Sequence, residues 1–344
     1  MVRVLNGHDD RGEVVLMRRM MKMMCCVICT AVLAGCAHAE KEMPTKAPVE
    51  TVKAENNKPL LPEKLQSGKD GVPMLSVYQV DEETVTDMDL ETYLEGVLAG
   101  EMKNTWPLEA LKAQAILART FVLKFCTEKE SKYQGADIST DIEEAQAYDA
   151  TGVNNRIKKA VRETRGLILS HHGELPYAWF HAHSGGVTAK AREGLGYDDE
   201  EPGYTQVVKG MDSDQAPAEA KSWEASFAKD EVIAAAKACG VKIDSIDDIE
   251  VGDTGESGRA ETIVINGKSV SAPELRIALG STKMRSTLLN SLKIENGKIY
   301  MAGRGYGHGV GMTQWGAYAM AEDGKSAEEI VTYYFRDVTV EKMW

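Results

Sequence analysis

The sequence is short of positive charge and has no apolar run long enough to cross a membrane, and these absences exclude some classes of protein. Its 40 Lys and Arg residues are outnumbered by 53 Asp and Glu residues, so the formal net charge is −13. Such a chain lacks the broad basic surface of a nucleic-acid binder, and we expect no nucleic-acid partner. The apolar run near its start, residues 23–33, is shorter than the roughly 20 residues that a membrane-spanning helix needs.

Cysteine is also scarce beyond the first 36 residues. Four of the six cysteines fall within that stretch, which leaves only Cys126 and Cys239 for the remainder of the chain. Their spacing does not determine whether they form a disulfide or stay as two buried thiols. A hydrophobic content of 43% over 344 residues nevertheless supports a substantial core, in one large domain or two ordinary ones.

The first 35 residues have the pattern of an export signal. A basic stretch precedes the short apolar run, which ends in Leu33-Ala34-Gly35-Cys36. This tetrapeptide resembles the bacterial lipobox, so we predict that residues 1–35 are a lipoprotein signal peptide and that Cys36 carries the lipid. The alternative is an ordinary signal cleaved just beyond, after Ala39. Residues 1–16 do not fit such a signal, and Met17 and Met20 are alternative candidates for the start of translation.

Beyond the signal, the sequence predicts a flexible tether and one folded domain. Residues 36–73 are rich in Lys, Glu and Pro, a composition that indicates a disordered tether. Residues 74–344 mix helical and strand patterns, which predicts a single large α+β domain with helices around Glu101 and antiparallel strand segments. Residues 222–239 have a helical pattern, and Asn296-Gly297 predicts the turn of a β-hairpin. Asp87 or Asp89 is the predicted N-cap of the helix that carries Glu101, and Ser326-x-x-Glu329 predicts a capping box for the last helix.

Glu101 lies where a polar residue is unexpected. Leu90, Leu94, Val97 and Glu101 are spaced four, three and four residues apart, so they share one face of a predicted helix. A carboxyl group that continues an apolar face is partly desolvated, and desolvation raises its pKa. From the residues alone, a catalytic acid and a salt-bridged helix-end glutamate are equally supported.

Glycine occupies every second position from Gly303 to Gly311, and we call residues 303–314 the glycine ribbon. In an extended chain alternate side chains point to opposite faces, so one face of the ribbon would be bare. The other face would present Arg304, Tyr306, His308, Val310 and Met312. Fixed polar and aromatic offsets of this kind indicate a binding segment, since a flexible linker would be rich in Gly and Ser alone.

Two further interpretations of these motifs are weaker. His181 and His183 share one strand face and, with His171 or His172, suggest a zinc site. No nearby cysteine or suitably spaced carboxylate completes such a site, so we expect no metal and no cofactor. A phosphate-binding reading of the ribbon fails because the Gly-Lys-Ser/Thr ending of a phosphate loop is missing.

Three blocks of the sequence resemble the SpoIID/LytB family, that of stage II sporulation protein D and its relatives. The first block spans residues 93–120 and contains Gly100-Glu101-Met102 and Trp106-Pro107. The second joins Gln146 to Tyr148 with residues 180–188, and the third is residues 303–317. Together the resemblance covers roughly residues 75–344.

The resemblance implies a protein that acts on peptidoglycan. Enzymatic members are lytic transglycosylases, which cut the MurNAc–GlcNAc bond without water, and their catalytic glutamate maps to Glu101. The zinc ligands of some members are missing here. The expected substrate-binding residues are those of the mapped ribbon, together with side chains whose type suits sugars or carboxylates: Gln114, Arg119, Tyr148, Arg304, Tyr306, His308, Gly309, Gly311, Thr313 and Gln314.

The LytB side of the family implies an alternative, a non-catalytic wall-binding protein that enhances an amidase. In both cases the expected partners are peptidoglycan glycan strands and a membrane reached through the lipid on Cys36, with a cell-wall amidase as a further candidate partner. The expected location is extracytoplasmic, with the protein anchored as a lipoprotein at the cell envelope.

Overall fold

A computed structural model describes residues 58–344. The predicted signal peptide, the lipidation site at Cys36 and the first part of the predicted tether lie outside the described residues. Within residues 58–344, no helix combines the length and the apolar character needed to cross a membrane.

The described chain is a mixture of helices and short strands, which confirms the predicted α+β class. Its strands are β1 Met74–Gln79, β2 Thr84–Asp89, β3 Ile138–Ser139, β4 Leu167–His171, β5 Phe180–His181, β6 Ser222–Ala228, β7 Ile249–Val251, β8 Thr262–Ile265, β9 Lys268–Ser271, β10 Leu289–Glu295, β11 Lys298–Arg304, β12 Met312–Thr313 and β13 Val338–Lys342. Its α-helices are α1 Leu90–Glu101, α2 Leu108–Glu128, α3 Asn155–Glu163, α4 Ala191–Leu195, α5 Ala218–Lys221, α6 Lys229–Ala238, α7 Ala272–Ala278, α8 Gln314–Glu322 and α9 Ala327–Tyr334. Short 3₁₀ turns lie at Lys69–Gly71 and Ala150–Gly152.

The strands form small sheets rather than one large one. Their orders are β2-β1-β3, β10-β11-β6 and β7-β8-β9, and the pairs β12-β5 and β13-β4 complete the set in the described residues. Most pairings are antiparallel, but β1 with β3 and β5 with β12 are parallel. The β5–β12 pair matters most for function, because it fixes the end of the glycine ribbon beside His181.

Two hydrophobic cores lie in the described chain, although the sequence predicted one mixed domain. The first core packs α1 and α2 against α3, α8, α9 and neighbouring strands. The second core lies between residues 223 and 301 and is built around β6, β8, β11 and the helices α6 and α7. The ribbon leaves the second core through β11 and enters the first core at Met312.

Local signals place the helix that carries Glu101. The Asp89 side chain accepts a hydrogen bond from the Thr92 backbone N–H at 3.0 Å, which caps the start of α1 as the sequence predicts. Pro107 immediately precedes α2, where its lack of an N–H costs nothing. Leu90, Leu94 and Val97 are all fully buried, so the predicted apolar face is the face that packs into the first core.

Two predictions about local structure are wrong. Residues 222–228 form strand β6 and not the start of a helix, because they pair with β11 along its whole length. Residues 58–73 were assigned to the tether, yet Val72 is buried and Leu61 and Leu65 pack against the first core. That part of the predicted tether therefore belongs to the folded domain.

The two cysteines of the domain are not joined in a disulfide. Cys126 is buried in the first core, while Cys239 packs against the second. Burial raises the pKa of the Cys126 thiol to about 12, so this group is an inert, protonated core residue.

Candidate active site

Glu101 is the last residue of α1, and its carboxyl group is held by the chain around it. The backbone N–H of Ala147 donates a hydrogen bond to its Oε1 atom at 2.8 Å. Burial raises the pKa of Glu101 from 4.5 to about 7, against the opposing effects of the Ala147 hydrogen bond and the Gln314 side chain. A carboxyl group with this pKa exchanges a proton near neutral pH, as an acid-base catalyst must.

Two glycines of α1 make room for the segment that holds Glu101. A Cβ atom at Gly100 would lie 2.6 Å from the carbonyl carbon of Ala147 and from the backbone N of Tyr148. A Cβ atom at Gly96 would overlap the ring of Tyr148. These are close-approach glycines, and they let the 146–148 segment lie directly against the helix.

Tyr148 therefore has a packing role that the sequence did not reveal. Its ring covers Gly96 and stacks on Tyr93, with the two centroids 5.5 Å apart. The side chain is only partly buried, so one part of it stays accessible beside α1. Its predicted contact with substrate stays a prediction.

The end of the glycine ribbon reaches Glu101 through Gln314. The Gln314 side-chain Nε2 donates to the backbone carbonyl of Glu101 at 3.3 Å. The preceding residue, Thr313, is fully buried and donates from Oγ1 to Oδ1 of Asp212 at 2.6 Å. The two consecutive residues thus tie Glu101 and Asp212 to opposite sides of the turn that begins α8.

Asp212 is a residue beside the candidate site whose structural role sequence analysis missed. It accepts hydrogen bonds from the Ser184 side chain, from the Ser184 backbone N–H and, more weakly, from the Gly186 N–H, in addition to the one from Thr313. This carboxylate fastens the Ser184-Gly185-Gly186 turn to the ribbon. Nothing in its acidic local sequence distinguishes Asp212 from the neighbouring Asp214.

The ribbon is a folded loop, so the prediction of one bare extended face is wrong. Gly305, Gly307, Gly309 and Gly311 all have positive φ angles, between 70° and 114°. Positive φ values reverse the course of the backbone and break the two-residue alternation of a strand. Val310 is fully buried, and Met312 packs in the first core.

The predicted polar residues of the ribbon have different environments. The side chain of Arg304 is exposed, and Tyr306 lies beneath the Arg285 guanidinium at 5.2 Å from its ring centroid. Nδ1 of His308 accepts a hydrogen bond from the Val310 N–H at 3.0 Å. Burial, and to a lesser degree Arg276, lower the pKa of His308 to about 3, so this imidazole is neutral and cannot supply a proton.

Gly309 and Gly311 allow close packing of the ribbon, and no side chain of theirs is available to touch substrate. A Cβ atom at Gly309 would overlap the guanidinium of Arg259, and one at Gly311 would overlap the carbonyl of Trp179. Arg259 is fully buried and donates to the carbonyls of Ser184 and Val187. It is a second residue that the sequence did not reveal, and it fixes the ribbon against the 184–187 turn.

Arg119 is not available as a substrate-binding residue, which corrects that prediction. Its side chain is 0% exposed and forms an ion pair with Glu91, with Nη2 and Oε2 2.5 Å apart. Its Nη1 donates to the carbonyls of Ala115 and Leu167. Lys112, on the same helix, is held in the same way by Glu109 and Glu163 at 2.7 Å each.

Gln114 lies below the surface of the site. It is fully buried in α2, and neither side-chain amide atom has a hydrogen-bond partner among residues 58–344. A substrate contact at Gln114 would require a ligand group that penetrates the core surface. Gln146, next to Ala147, is also buried with both amide atoms unpaired among the described residues.

Aromatic side chains surround the start of α8. Trp315 lies against Trp106, with centroids 4.6 Å apart, and against Tyr318 at 5.4 Å. The Lys103 ammonium lies 5.8 Å from the Trp315 ring centroid. This cluster joins the loop that follows Glu101 to the helix that carries Gln314.

The histidines suggested as zinc ligands have other roles. Nδ1 of His181 lies 3.2 Å from the Val310 carbonyl, while Nδ1 of His183 accepts from the Gly185 N–H at 3.0 Å. Burial lowers the pKa of both imidazoles. In the part of the chain that the structure describes, no group of three or more His, Cys, Asp or Glu side chains is arranged to hold a metal ion.

The fold and the site together define an α+β domain with one desolvated acid beside a glycine-rich loop. The sequence model of a family described as "Stage II sporulation protein" matches residues 78–171, and a domain of unknown function matches residues 198–311. Stage II sporulation protein D of Bacillus subtilis is 32% identical over 287 residues, which covers 77% of this chain and 78% of the relative. The chain belongs to the stage II sporulation protein D family.

Two further relatives show how broad this similarity is. An amidase enhancer of Bacillus subtilis is 30% identical over 291 residues, covering 72% of this chain but only 40% of that longer protein. An uncharacterized protein of Brachyspira hyodysenteriae is 30% identical over 260 residues, covering 74% of this chain and 67% of the relative.

Proposed function

We propose that the protein is a peptidoglycan lytic transglycosylase that cleaves MurNAc–GlcNAc bonds, preferably in peptide-free strands, with Glu101 as its acid and base. The observation that carries the proposal is the Glu101 carboxyl group itself. It ends α1, accepts one hydrogen bond from Ala147 at 2.8 Å, and burial raises its pKa to about 7. Membership of the stage II sporulation protein D family supports a role at the cell wall.

A single carboxyl group is sufficient for this reaction. Protonated Glu101 donates its proton to the glycosidic oxygen, and the bond from that oxygen to C1 of MurNAc breaks. The Glu101 carboxylate then takes the proton of the C6 hydroxyl of the same MurNAc. The C6 oxygen bonds to C1 and closes a 1,6-anhydro ring, so no water is consumed and Glu101 regains its proton.

Mass spectrometry of peptide-free glycan strands incubated with the protein tests the proposal. We expect products ending in 1,6-anhydro-MurNAc with the wild type and none with Glu101→Gln, which keeps an oxygen for the Ala147 N–H. Glu322→Gln, at an exposed position in α8, removes the same charge and should leave the products unchanged. Hydrated reducing ends, or equal products from Glu101→Gln, would overturn the assignment.

A second candidate function is enhancement of a cell-wall amidase without catalysis. The 30% identity to an amidase enhancer favours it. An amidase assay with added protein distinguishes the two, since an enhancer that only binds the wall would stimulate the amidase equally well as Glu101→Gln. Stimulation that disappears with Glu101→Gln would instead link the effect to cleavage.

We further propose an extracytoplasmic protein anchored through lipid on Cys36. The lipobox-like tetrapeptide at residues 33–36 supports this placement. Labelling cells with a fatty-acid analogue should mark the wild type and not Cys36→Ser. A Cys36→Ser variant that still carries the label would refute the anchor and leave the enzymatic proposal standing.

A further inference from the structure

Two depressions, each of about 460 Å³, lie on the described chain, and Glu101 lines neither of them. The first, here called the ribbon cavity, is lined by His183, Gly185, Gly186, Lys209, Asp212 and Lys221. The second, here called the sheet trough, is lined by Glu224, Ser226, Ser291, Lys293, Tyr300 and Ala302. The trough lies on the region matched by the domain of unknown function.

The ribbon cavity and the sheet trough meet at one border. Lys221 lines the cavity, and the next residue, Ser222, begins β6 opposite Arg304 of β11. The backbone N–H of Gly305 donates to the Lys221 carbonyl at 2.9 Å. A Cβ atom at Gly185 would lie 2.9 Å from the Arg304 backbone, so the cavity wall touches the end of the sheet.

The trough is a regular feature of the β10-β11-β6 sheet. Tyr300 and Ala302 alternate with buried Ile299 and Met301, so they point to the face of the sheet opposite the second core, as does Arg304. In the sheet register, Tyr300 is flanked by Ser226 and Lys293, and its ring lies 6.0 Å from the Lys293 ammonium. The small residues Ser226, Ser291 and Ala302 also line the trough, so the Tyr300 ring stands as a large accessible surface there.

Two hydrogen bonds link the ribbon cavity to the candidate acid, Glu101. Asp212 lines the ribbon cavity and accepts from Thr313, and the next residue, Gln314, donates to Glu101. Hydrogen bonds from Ser184 and Thr313 stabilise the negative charge of the Asp212 carboxylate. Four cations lie along the ribbon cavity and the sheet trough, on an otherwise acidic protein: Lys209, Lys221, Arg304 and Lys293. The Lys293 ammonium lies 2.7 Å from the Glu295 carboxylate, an exposed ion pair that a carboxylate of the ligand can exchange with. Lys209, Lys221 and Lys293 line the two depressions together with the exposed carboxylates Asp214 and Glu224, and Arg304 lies at the border between them.

We propose that the ribbon cavity and the sheet trough form one extended binding surface for a carboxylate-bearing glycan strand. This inference rests on the proposed function, because it names the part of the protein that holds the rest of the polymer. Tyr300 stacks on an apolar sugar face, and the row of cations faces the carboxylates that MurNAc residues carry once their peptides are gone. The region matched by the domain of unknown function thereby becomes the polymer-holding part of the protein.

Strand-length dependence of binding tests this surface. The full chain with Glu101→Gln, which prevents turnover, is titrated calorimetrically with peptide-free MurNAc–GlcNAc oligosaccharides. A tetrasaccharide fills only the region near Glu101, whereas a long strand also covers the trough. We expect the additional Tyr300→Ala change to raise the dissociation constant of the long strand roughly five- to tenfold and that of the tetrasaccharide less than about twofold.

Matched controls separate this surface from a folding effect. Tyr78→Ala removes another half-buried strand tyrosine, on a different sheet, and should leave both dissociation constants unchanged. Lys293→Gln should weaken long MurNAc-containing strands but not chitin oligosaccharides of equal length, which carry no carboxylate. Equal weakening of short and long strands by Tyr300→Ala, or no preference for MurNAc strands over chitin, would overturn the inference.

The two proposals fail in different ways. If the wild type makes no 1,6-anhydro product yet binds long strands through Tyr300, the enzymatic proposal fails and the extended surface stands. If cleavage occurs but long strands bind no better than a tetrasaccharide, the extended surface fails and Glu101 keeps its role.

Discussion

Glu101→Gln should make the protein more stable at alkaline pH, while it abolishes cleavage. The unfolded carboxyl group releases its proton near pH 4.5, but the folded one releases it only near pH 7. Between these values the folded state binds more protons, so the free energy of unfolding of the wild type falls as the pH rises. The difference of about 2.5 pKa units corresponds to at most about 3 kcal/mol, and partial solvent access to the side chain reduces it.

Urea denaturation at about pH 5 and about pH 8.5 measures this effect. In Glu101→Gln the side chain is neutral at every pH, so no charge is buried, and its amide oxygen still accepts the hydrogen bond from the Ala147 N–H. Its stability relative to the wild type should therefore rise by roughly 2 kcal/mol between the two pH values. Glu322→Gln, at an exposed position, should show no such trend. A constant difference between Glu101→Gln and the wild type at both pH values would refute the claim that burial raises the pKa of Glu101.

Three further predictions follow from the same contacts. Arg119→Met should lower the free energy of unfolding by about 3 kcal/mol in urea denaturation, because the partly buried Glu91 loses its ion-pair partner and keeps only the donors of Gly166 and Trp344. Gly100→Ala should lower it by about 1–3 kcal/mol and slow cleavage, because the new Cβ displaces Ala147 from Glu101. The kcat/KM for strand cleavage should fall as the pH rises through about 7, since only protonated Glu101 is an acid.

Each of these has a control. At Gly203 an added Cβ would meet its nearest atom at 3.7 Å, so Gly203→Ala should be nearly neutral. If Gly203→Ala lowers the free energy of unfolding as much as Gly100→Ala does, contact with Ala147 is not the cause of the loss of stability. If Arg119→Met binds glycan more weakly than the wild type at an unchanged free energy of unfolding, Arg119 does contribute to substrate binding. A loss of activity centred near pH 4.5 would contradict the raised pKa of Glu101.

The parts of the fold that sequence analysis predicted correctly depend on neighbouring residues. Asp89 caps α1, Ser326 begins α9 with a capping box, and Asn296-Gly297 joins β10 to β11, as the residue patterns indicate. Each of these signals acts within about four residues, so the chain displays it without tertiary contacts. The placement of Glu101 on the face of α1 was predictable for the same reason.

The errors concern residues whose structure is decided by distant partners. Residues 222–228 form a strand because β11, more than 70 positions away in the chain, supplies their hydrogen bonds. Arg119 looked like an available cation, but its partner Glu91 lies one helix earlier. Asp212 and Arg259 were missed because single charged residues in loops carry no local signal until the turns they fasten are known.

The glycine ribbon shows why a correct motif led to an incorrect conformation. A two-residue spacing is the period of a strand, yet glycine is also the residue that best tolerates positive φ, and composition alone cannot separate the two. Here the glycines at 305, 307, 309 and 311 all have left-handed φ angles, and each also meets a close neighbour. The neighbours are the His183 carbonyl, the His181 side chain, Arg259 and the Trp179 carbonyl, in that order. The alternating glycines are therefore required by a loop that packs between the two cores, and they do not indicate a strand. Its polar residues separate accordingly: Arg304 stays on the open sheet, while His308 is desolvated and neutral.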